Sequence, residues 1–245
     1  MPLHKDKTAL DKNDARQTLG LDKNDLVIGL LPGSRPSEFK RHFPIMQDAI
    51  RKISHPAHNL HLGMPNAEVM CGASADTKNI KYILGAAPDI TPAIISRITK
   101  KDAPEIISYY NRTYEILSAS DILITVSGTI TVEAALFQTP MVVIYKVPLL
   151  TELVFRPLVK TPFYAMVNII AGKKVVPELI QQNCTPGKIA EQAINLLDKD
   201  ARNRMRHELG QVKAKLGAPG ASQRAAEIIS KILTTNINNS KREYE

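Results

Sequence analysis

The 245-residue sequence predicts an α/β fold, an open parallel sheet with helices on both faces, and three observations carry that prediction. Continuous apolar runs of strand length recur along the chain, as strands buried on both faces of a parallel sheet require. The clearest two end in turns of small residues, Pro32-Gly33-Ser34-Arg35 and Ser127-Gly128-Thr129. Each turn is followed by an apolar repeat of helical period. Strand, turn, helix and strand in succession imply right-handed crossovers, a Rossmann-like architecture.

Taken in order, residues 1–24 are polar and charged and read as a lead-in segment, with a short helix expected from Ala15 to Leu21 that stops near Gly20. Residues 26–31, all apolar, read as the first buried strand. A helix should follow: Pro36 suits a first turn, Glu38 puts a carboxylate near the positive end of the helix dipole, and Phe39, Phe43, Met46 and Ile50 recur at helical spacing through Ile53. Residues 54–78 are broken by Pro56, Gly63, Pro65 and Gly72, and part of them is expected to be strand. Apolar segments follow at 80–84 and 90–98, and 109–118 reads as helix. The next unit comprises a strand at 121–126, the Ser127-Gly128-Thr129 turn, a helix at 130–137 and a strand at 140–145. Helices are expected at 185–198, 201–215 and 221–233, and residues 234–245 form a polar tail expected to fray. The body of the chain, residues 25–233, reads as one domain without internal repeats.

Composition narrows the partners. A hydrophobic content of 44% supports a core, and a formal charge of +8 favours an anionic partner: nucleic acid, an acidic membrane surface or a phosphorylated substrate. Five Phe, no Trp and no aromatic residues interleaved with Lys or Arg weigh against a base-stacking nucleic-acid surface. Cys71 and Cys184 stand far apart with no Cys or His at ligand spacing, so neither zinc nor a disulfide is indicated. His55, His58 and His61 fall in a Pro-broken stretch, where a surface loop is the expected setting rather than a metal site. The N-terminus lacks the apolar core of a signal peptide, and no window reaches the ~18 uninterrupted apolar residues of a span, so a soluble or peripheral protein is expected. Leu150, Leu153, Val154 and Leu158 share a helical face beside basic residues, a pattern that fits either core packing or an anionic, acyl-bearing interface.

Ligands of open parallel sheets bind at the carboxyl ends of strands, where helix N-termini present backbone N–H groups to anions. At the first turn Gly33 permits close backbone approach, Ser34 offers a hydroxyl and Arg35 a forked guanidinium for phosphate oxygens. An ordinary strand-to-helix turn is the alternative, since neither a GxxxxGK[ST] loop nor a GxGxxG fingerprint is present. At the second, Ser127, Gly128 and Thr129 can donate to a phosphate, and Glu133, a turn into the helix, can accept from ribose hydroxyls. A capping turn with a structural Glu is the alternative there.

Together with the text around them, these turns resemble the carboxyl-terminal domain of the lipid A disaccharide synthases, inverting glycosyltransferases of the two-lobed GT-B class. The matching residues run from Ile28 to Arg35 with Glu38, through Ser127-Gly128-Thr129 with Val132-Glu133-Ala134, and on through Thr139 to Val143 with Tyr145-Lys146. They continue at 158–161, Asn168 to Gly172 and Val176 to Gln181, and end at Arg224-Ala225-Ala226. The similarity spans roughly residues 16–233 and is weakest at 54–78.

The resemblance implies one lobe of a GT-B enzyme, with residues 25–233 as a nucleotide-sugar domain. In it Gly33, Ser34, Arg35, Ser127, Gly128 and Thr129 would line a uridine diphosphate (UDP) site, Glu133 the ribose, and Asn168, Glu178 and Gln181 the rest of the donor pocket. The implied reaction joins a UDP-activated diacylglucosamine to diacylglucosamine 1-phosphate, forming a β-1,6-linked disaccharide and releasing UDP in lipid A biosynthesis. It needs no cofactor and no metal, because fixed donors and positive charge can stabilise the departing diphosphate. The catalytic general base is expected in the family's amino-terminal lobe, which has no counterpart here and would act as a separate chain or subunit. The resemblance also implies a cytoplasmic protein, peripheral at the inner face of the cytoplasmic membrane, with the last helix taking part in dimer exchange. A catalytically silent UDP-sugar-binding module is the alternative. A 2-epimerase or an undecaprenyl-linked GlcNAc transferase should show its own histidine or glycine-rich signatures, and these are absent.

Overall fold

The computed structural model describes residues 10–54, 80–148, 161–217 and 220–242. The elements are, in order, α1 (Lys12–Thr18), β1 (Leu26–Leu31), α2 (Pro36–Ser54), β2 (Ile80–Ala86), α3 (Pro92–Ile98), β3 (Ile106–Tyr110), α4 (Thr113–Ala119) and β4 (Ile122–Val126). They continue with α5 (Ile130–Leu136), β5 (Met141–Tyr145), α6 (Met166–Ala171), β6 (Glu178–Ile180), a 3-10 turn at Gln181–Asn183, α7 (Pro186–Asn195), α8 (Lys199–Leu216) and α9 (Ala221–Arg242). The strand expected within 54–78, Cys71, the three spaced histidines and the apolar stripe at 150–158 lie outside the described residues.

Among the described residues six strands pair in parallel in the order β3-β2-β1-β4-β5-β6. This is the doubly wound order, and its direction reverses between β1 and β4, where neighbouring loops part and leave a crevice. Alternate residues of each strand serve opposite faces. Ile28, Leu30, Ile122 and Ile124 pack with Phe39, Phe43 and Met46 of α2 and with Ile189 and Ala193 of α7. Val27, Leu31, Leu123 and Val143 pack with Ala15, Ile116, Ala134 and Leu209 on the other side. Two-sided burial is why β1 reads as an unbroken apolar run and β4 as one interrupted only by the buried Thr125.

The expected helix at 109–118 begins later than its pattern suggested, because Tyr109 and Tyr110 belong to β3. This strand sits at the sheet edge and is only half buried, so Ile106–Tyr110 lacks the full apolar run that marked the central strands. Three-residue β6 was also unforeseen, being shorter than any periodic signal. The last helix continues to Arg242, through much of the stretch expected to fray.

The segment before β1 is tied into the fold. Asp11 caps α1 by accepting from the Asn13 amide at 2.7 Å, and Ala15, Leu19 and Leu21 enter the core. Arg16, 5% exposed, donates to Asp121 at 2.7 Å, to the Ala119 carbonyl at 3.1 Å and to the Lys23 carbonyl at 2.5 Å. Lys12 joins the other Asp121 oxygen at 2.5 Å, and the Val27 amide donates to Asp121 at 2.9 Å. One buried carboxylate thus fastens α1 to the start of β4 and to β1.

Candidate nucleotide site

The crevice between β1 and β4 opens into a cleft of about 640 Å³. Both sequence-marked turns line it: Gly33, Ser34 and Arg35 on one side, and Ser127, Gly128 and Thr129 with Glu133 on the other. Their convergence follows from topology. Parallel strands that are sheet neighbours deliver their carboxyl-terminal turns to the same edge.

The first turn leads into the 19-residue α2, whose opening N–H groups have no intrahelical acceptors and carry the positive end of the dipole. Gly33 adopts φ +114°, and a Cβ there would lie 2.6 Å from a Glu38 carboxylate oxygen. Only glycine fits. Gly33→Ala is expected to displace Glu38 and strain the turn by about 1–3 kcal/mol, weakening UDP binding and lowering the melting temperature, as calorimetry and thermal unfolding would record. The Arg35 side chain is 79% exposed, and its ion-pair partner is Glu38, at 3.5 Å. An exposed guanidinium held by one long pair can turn toward an arriving anion.

In the second turn the Thr131 hydroxyl donates to the Gly128 carbonyl at 2.8 Å, while Thr129 makes no side-chain cap. Its hydroxyl is therefore not committed to α5. The Ser127 hydroxyl donates to the Tyr164 carbonyl at 2.8 Å, leaving its oxygen lone pairs. Burial pushes the Glu133 carboxyl above its usual range. The Tyr114 hydroxyl is likewise raised, by burial and by the nearby Glu133 charge.

Asn168, Glu178 and Gln181 are not among the cleft-lining residues. Asn168 is fully buried and spends its amide internally: Nδ2 donates to the Val176 carbonyl and to Glu178, and Oδ1 accepts from the Val175 and Val176 amides at 2.8 and 3.0 Å. Glu178 accepts from the Tyr164 and Ala165 amides at 3.0 and 2.9 Å, at the start of α6. These two residues bear on the cleft through Tyr164, whose carbonyl receives Ser127. Gln181, with φ +51°, accepts the Val147 amide at 2.7 Å and holds the chain leaving β5.

Sequence reasoning missed Tyr114, Tyr145 and Gly85, which also line the cleft. Gly85 and Tyr145 stand at strand ends, so the strand reading could have found them. Tyr114 was hidden in the helix read across β3. Among the described residues no group of three or more potential metal ligands occurs, and no helix is long and apolar enough to cross a membrane. A second cleft, ≈ 490 Å³, lies at the opposite edge of the sheet, where Lys12, Phe137 and Arg206 meet.

Comparison with known proteins bears on the family and the fold. A sequence model described as lipid-A-disaccharide synthetase matches residues 3–73 and 68–233. The lipid-A-disaccharide synthase of Nitrosococcus oceani is 36% identical over 227 residues, covering 92% of this chain and 53% of the relative. That of Anaeromyxobacter dehalogenans is 37% identical over 214 residues, covering 86% and 51%. The chain spans about half the length of the curated relatives it matches. Among solved structures, WaaG, a glycosyltransferase involved in lipopolysaccharide biosynthesis, superposes with a TM-score of 0.51 at 14% identity, over 93% of this chain and 54% of its own. That likeness concerns the fold, which is one lobe of a GT-B glycosyltransferase. With a family model covering most of its length and relatives above one-third identity, the chain belongs to the lipid-A-disaccharide synthetase family.

Proposed function

We propose that this chain is the donor-binding half of a lipid-A-disaccharide synthase, an inverting, metal-independent glycosyltransferase. In this reading it holds a UDP-activated diacylglucosamine whose sugar passes to diacylglucosamine 1-phosphate, and UDP departs. The observation that carries the reading is the meeting of the Pro32–Arg35 and Ser127–Thr129 turns in one cleft at the sheet's switch point, in a chain of this family.

Residues 25–233 form the nucleotide-sugar domain. Arg35 and the N–H groups opening α2 neutralise the diphosphate, Ser34, Gly128 and Thr129 donate to it, Ser127 sets the second turn through its bond to the Tyr164 carbonyl, and Gly33 lets the backbone approach. Glu133 accepts from the ribose hydroxyls; its partial burial strengthens such a bond by excluding competing water. Asn168, Glu178 and Gln181 complete the donor pocket by fixing the segments beside the two turns. A growing negative charge on the leaving diphosphate then meets donors already in place. The base that takes the acceptor proton comes from an amino-terminal lobe of the kind that makes up the rest of the relatives' length. The protein works in the cytoplasm at the inner face of the membrane, where its lipid substrates reside, and its last helix serves a homodimer.

Glu133 supplies a sharp test of nucleotide orientation. The folded wild type is expected to bind UDP about tenfold tighter than 2′-deoxy-UDP, a preference that Glu133→Ala should largely erase. Equal affinities in the wild type would remove Glu133 from the ribose. The enzyme reading is tested by mixing the chain with the amino-terminal half of a relative and assaying disaccharide release. Product formed only by the mixture supports the synthase; UDP binding without product favours the silent sugar-nucleotide module.

A further inference from the structure

We propose that His42 is a positioning residue for the nucleotide cleft, its imidazole acting as the acceptor that fixes the exit of β5 against the helix following the Pro32–Arg35 turn. The inference rests on the nucleotide reading of that cleft, and it assigns a role to a residue that touches neither of the two turns' ligand-facing groups.

His42 lies on α2, on the same helix as the core residues Phe39, Phe43 and Met46, and is fully buried, where a leucine would satisfy the packing. It is polar for a reason visible at its Nε2, which accepts the Lys146 amide at 3.1 Å. Its ring stacks on Tyr145, with centroids 5.8 Å apart and planes 23° from parallel. Tyr145 is the last residue of β5 and lines the cleft. The neighbouring Val147 amide is held by Gln181 at 2.7 Å, so two side chains from different elements grip consecutive residues of the β5 exit. Arg41 adds a donation to the Lys146 carbonyl at 3.3 Å.

Because Nε2 accepts an N–H, the proton of the neutral ring resides on Nδ1. Among the described residues Nδ1 has no hydrogen-bond partner of normal geometry, while the backbone of Pro32, Lys146 and Glu38 acts on the ring as a whole. A buried N–H without a well-placed acceptor is destabilising, a cost an apolar residue would avoid. The imidazole is therefore a poor choice for stability alone and a good one for holding Tyr145 and Lys146 in register with the turn at Pro32. Burial lowers its pKa, outweighing the backbone groups of Pro32, Lys146 and Glu38 that raise it, and keeps the ring neutral and able to accept.

Two substitutions separate acceptor from packing. His42→Gln brings an amide oxygen to the place of Nε2, whereas His42→Phe fills the space and stacks on Tyr145 but offers no acceptor. Calorimetric titration with UDP should show His42→Phe weakened about tenfold and His42→Gln within about threefold of wild type, with similar melting temperatures for the two variants. Nitrogen NMR of the wild-type imidazole should show the neutral Nδ1–H tautomer. Equal UDP affinity in folded His42→Phe and wild type, equal losses in both variants, or an Nε2–H tautomer would overturn the proposal. Wild type that is folded yet silent toward UDP would instead overturn the nucleotide reading itself, and this proposal with it. If His42→Phe does not fold, the His42→Gln affinity and the tautomer decide.

Discussion

Asp121→Ala is expected to destabilise the fold by about 3–5 kcal/mol, because it removes the partner of a buried arginine. Arg16 keeps two backbone carbonyls but loses the only carboxylate that reaches its guanidinium among the described residues, while Lys12 and the Val27 amide lose the same group. For a chain of this size the change corresponds to a fall in melting temperature on the order of 10 °C. A drop of only a degree or two would show that α1 is not fastened in this way. The pH dependence gives a second readout. Burial raises the Asp121 carboxyl, but Lys12, the Val27 amide and Arg16 outweigh it, and the net pKa is depressed. The carboxylate therefore contributes stability that is fully present above its unfolded pKa, near ~3.9, and is lost as pH falls through the lower folded value. Wild type should lose stability over that acid range, and Asp121→Ala should lose less.

Arg35→Ala is expected to weaken UDP binding by about 10–100-fold, the value of a charge-assisted contact to a diphosphate. Stability should stay within ~0.5 kcal/mol of wild type, since the side chain is exposed and, among the described residues, pairs with Glu38 alone. Arg35→Lys should fall between, keeping the charge and losing the fork. Unchanged UDP affinity in Arg35→Ala would remove Arg35 from the phosphate site, and calorimetry with thermal unfolding on the same samples separates the two effects.

The central sheet could be read from sequence because burial on both faces leaves a nearly continuous apolar run. That held for Leu26–Leu31, Ile122–Val126 and Met141–Tyr145. The edge strand Ile106–Tyr110 could not, since half-burial dilutes the pattern and Tyr109 and Tyr110 merged with the helix beyond. The two turns were visible as glycine-bearing breaks after strands. What sequence could not supply was their partnership, which depends on β1 lying beside β4 although nearly a hundred residues separate them. Asn168 and Glu178 show the converse. The sequence shows a polar motif there, and only hydrogen-bond geometry reveals that it holds the Val175–Glu178 chain and the start of α6.

The central claim, that the cleft between β1 and β4 receives a uridine diphosphate, is tested most directly by amide NMR of the folded chain during UDP titration. Saturable shifts concentrated at Gly33, Ser34 and Arg35 and at Ser127, Gly128 and Thr129 are the predicted result. Shifts centred instead on the opposite cleft, at Lys12 and Arg206, or no shifts at all, would contradict it.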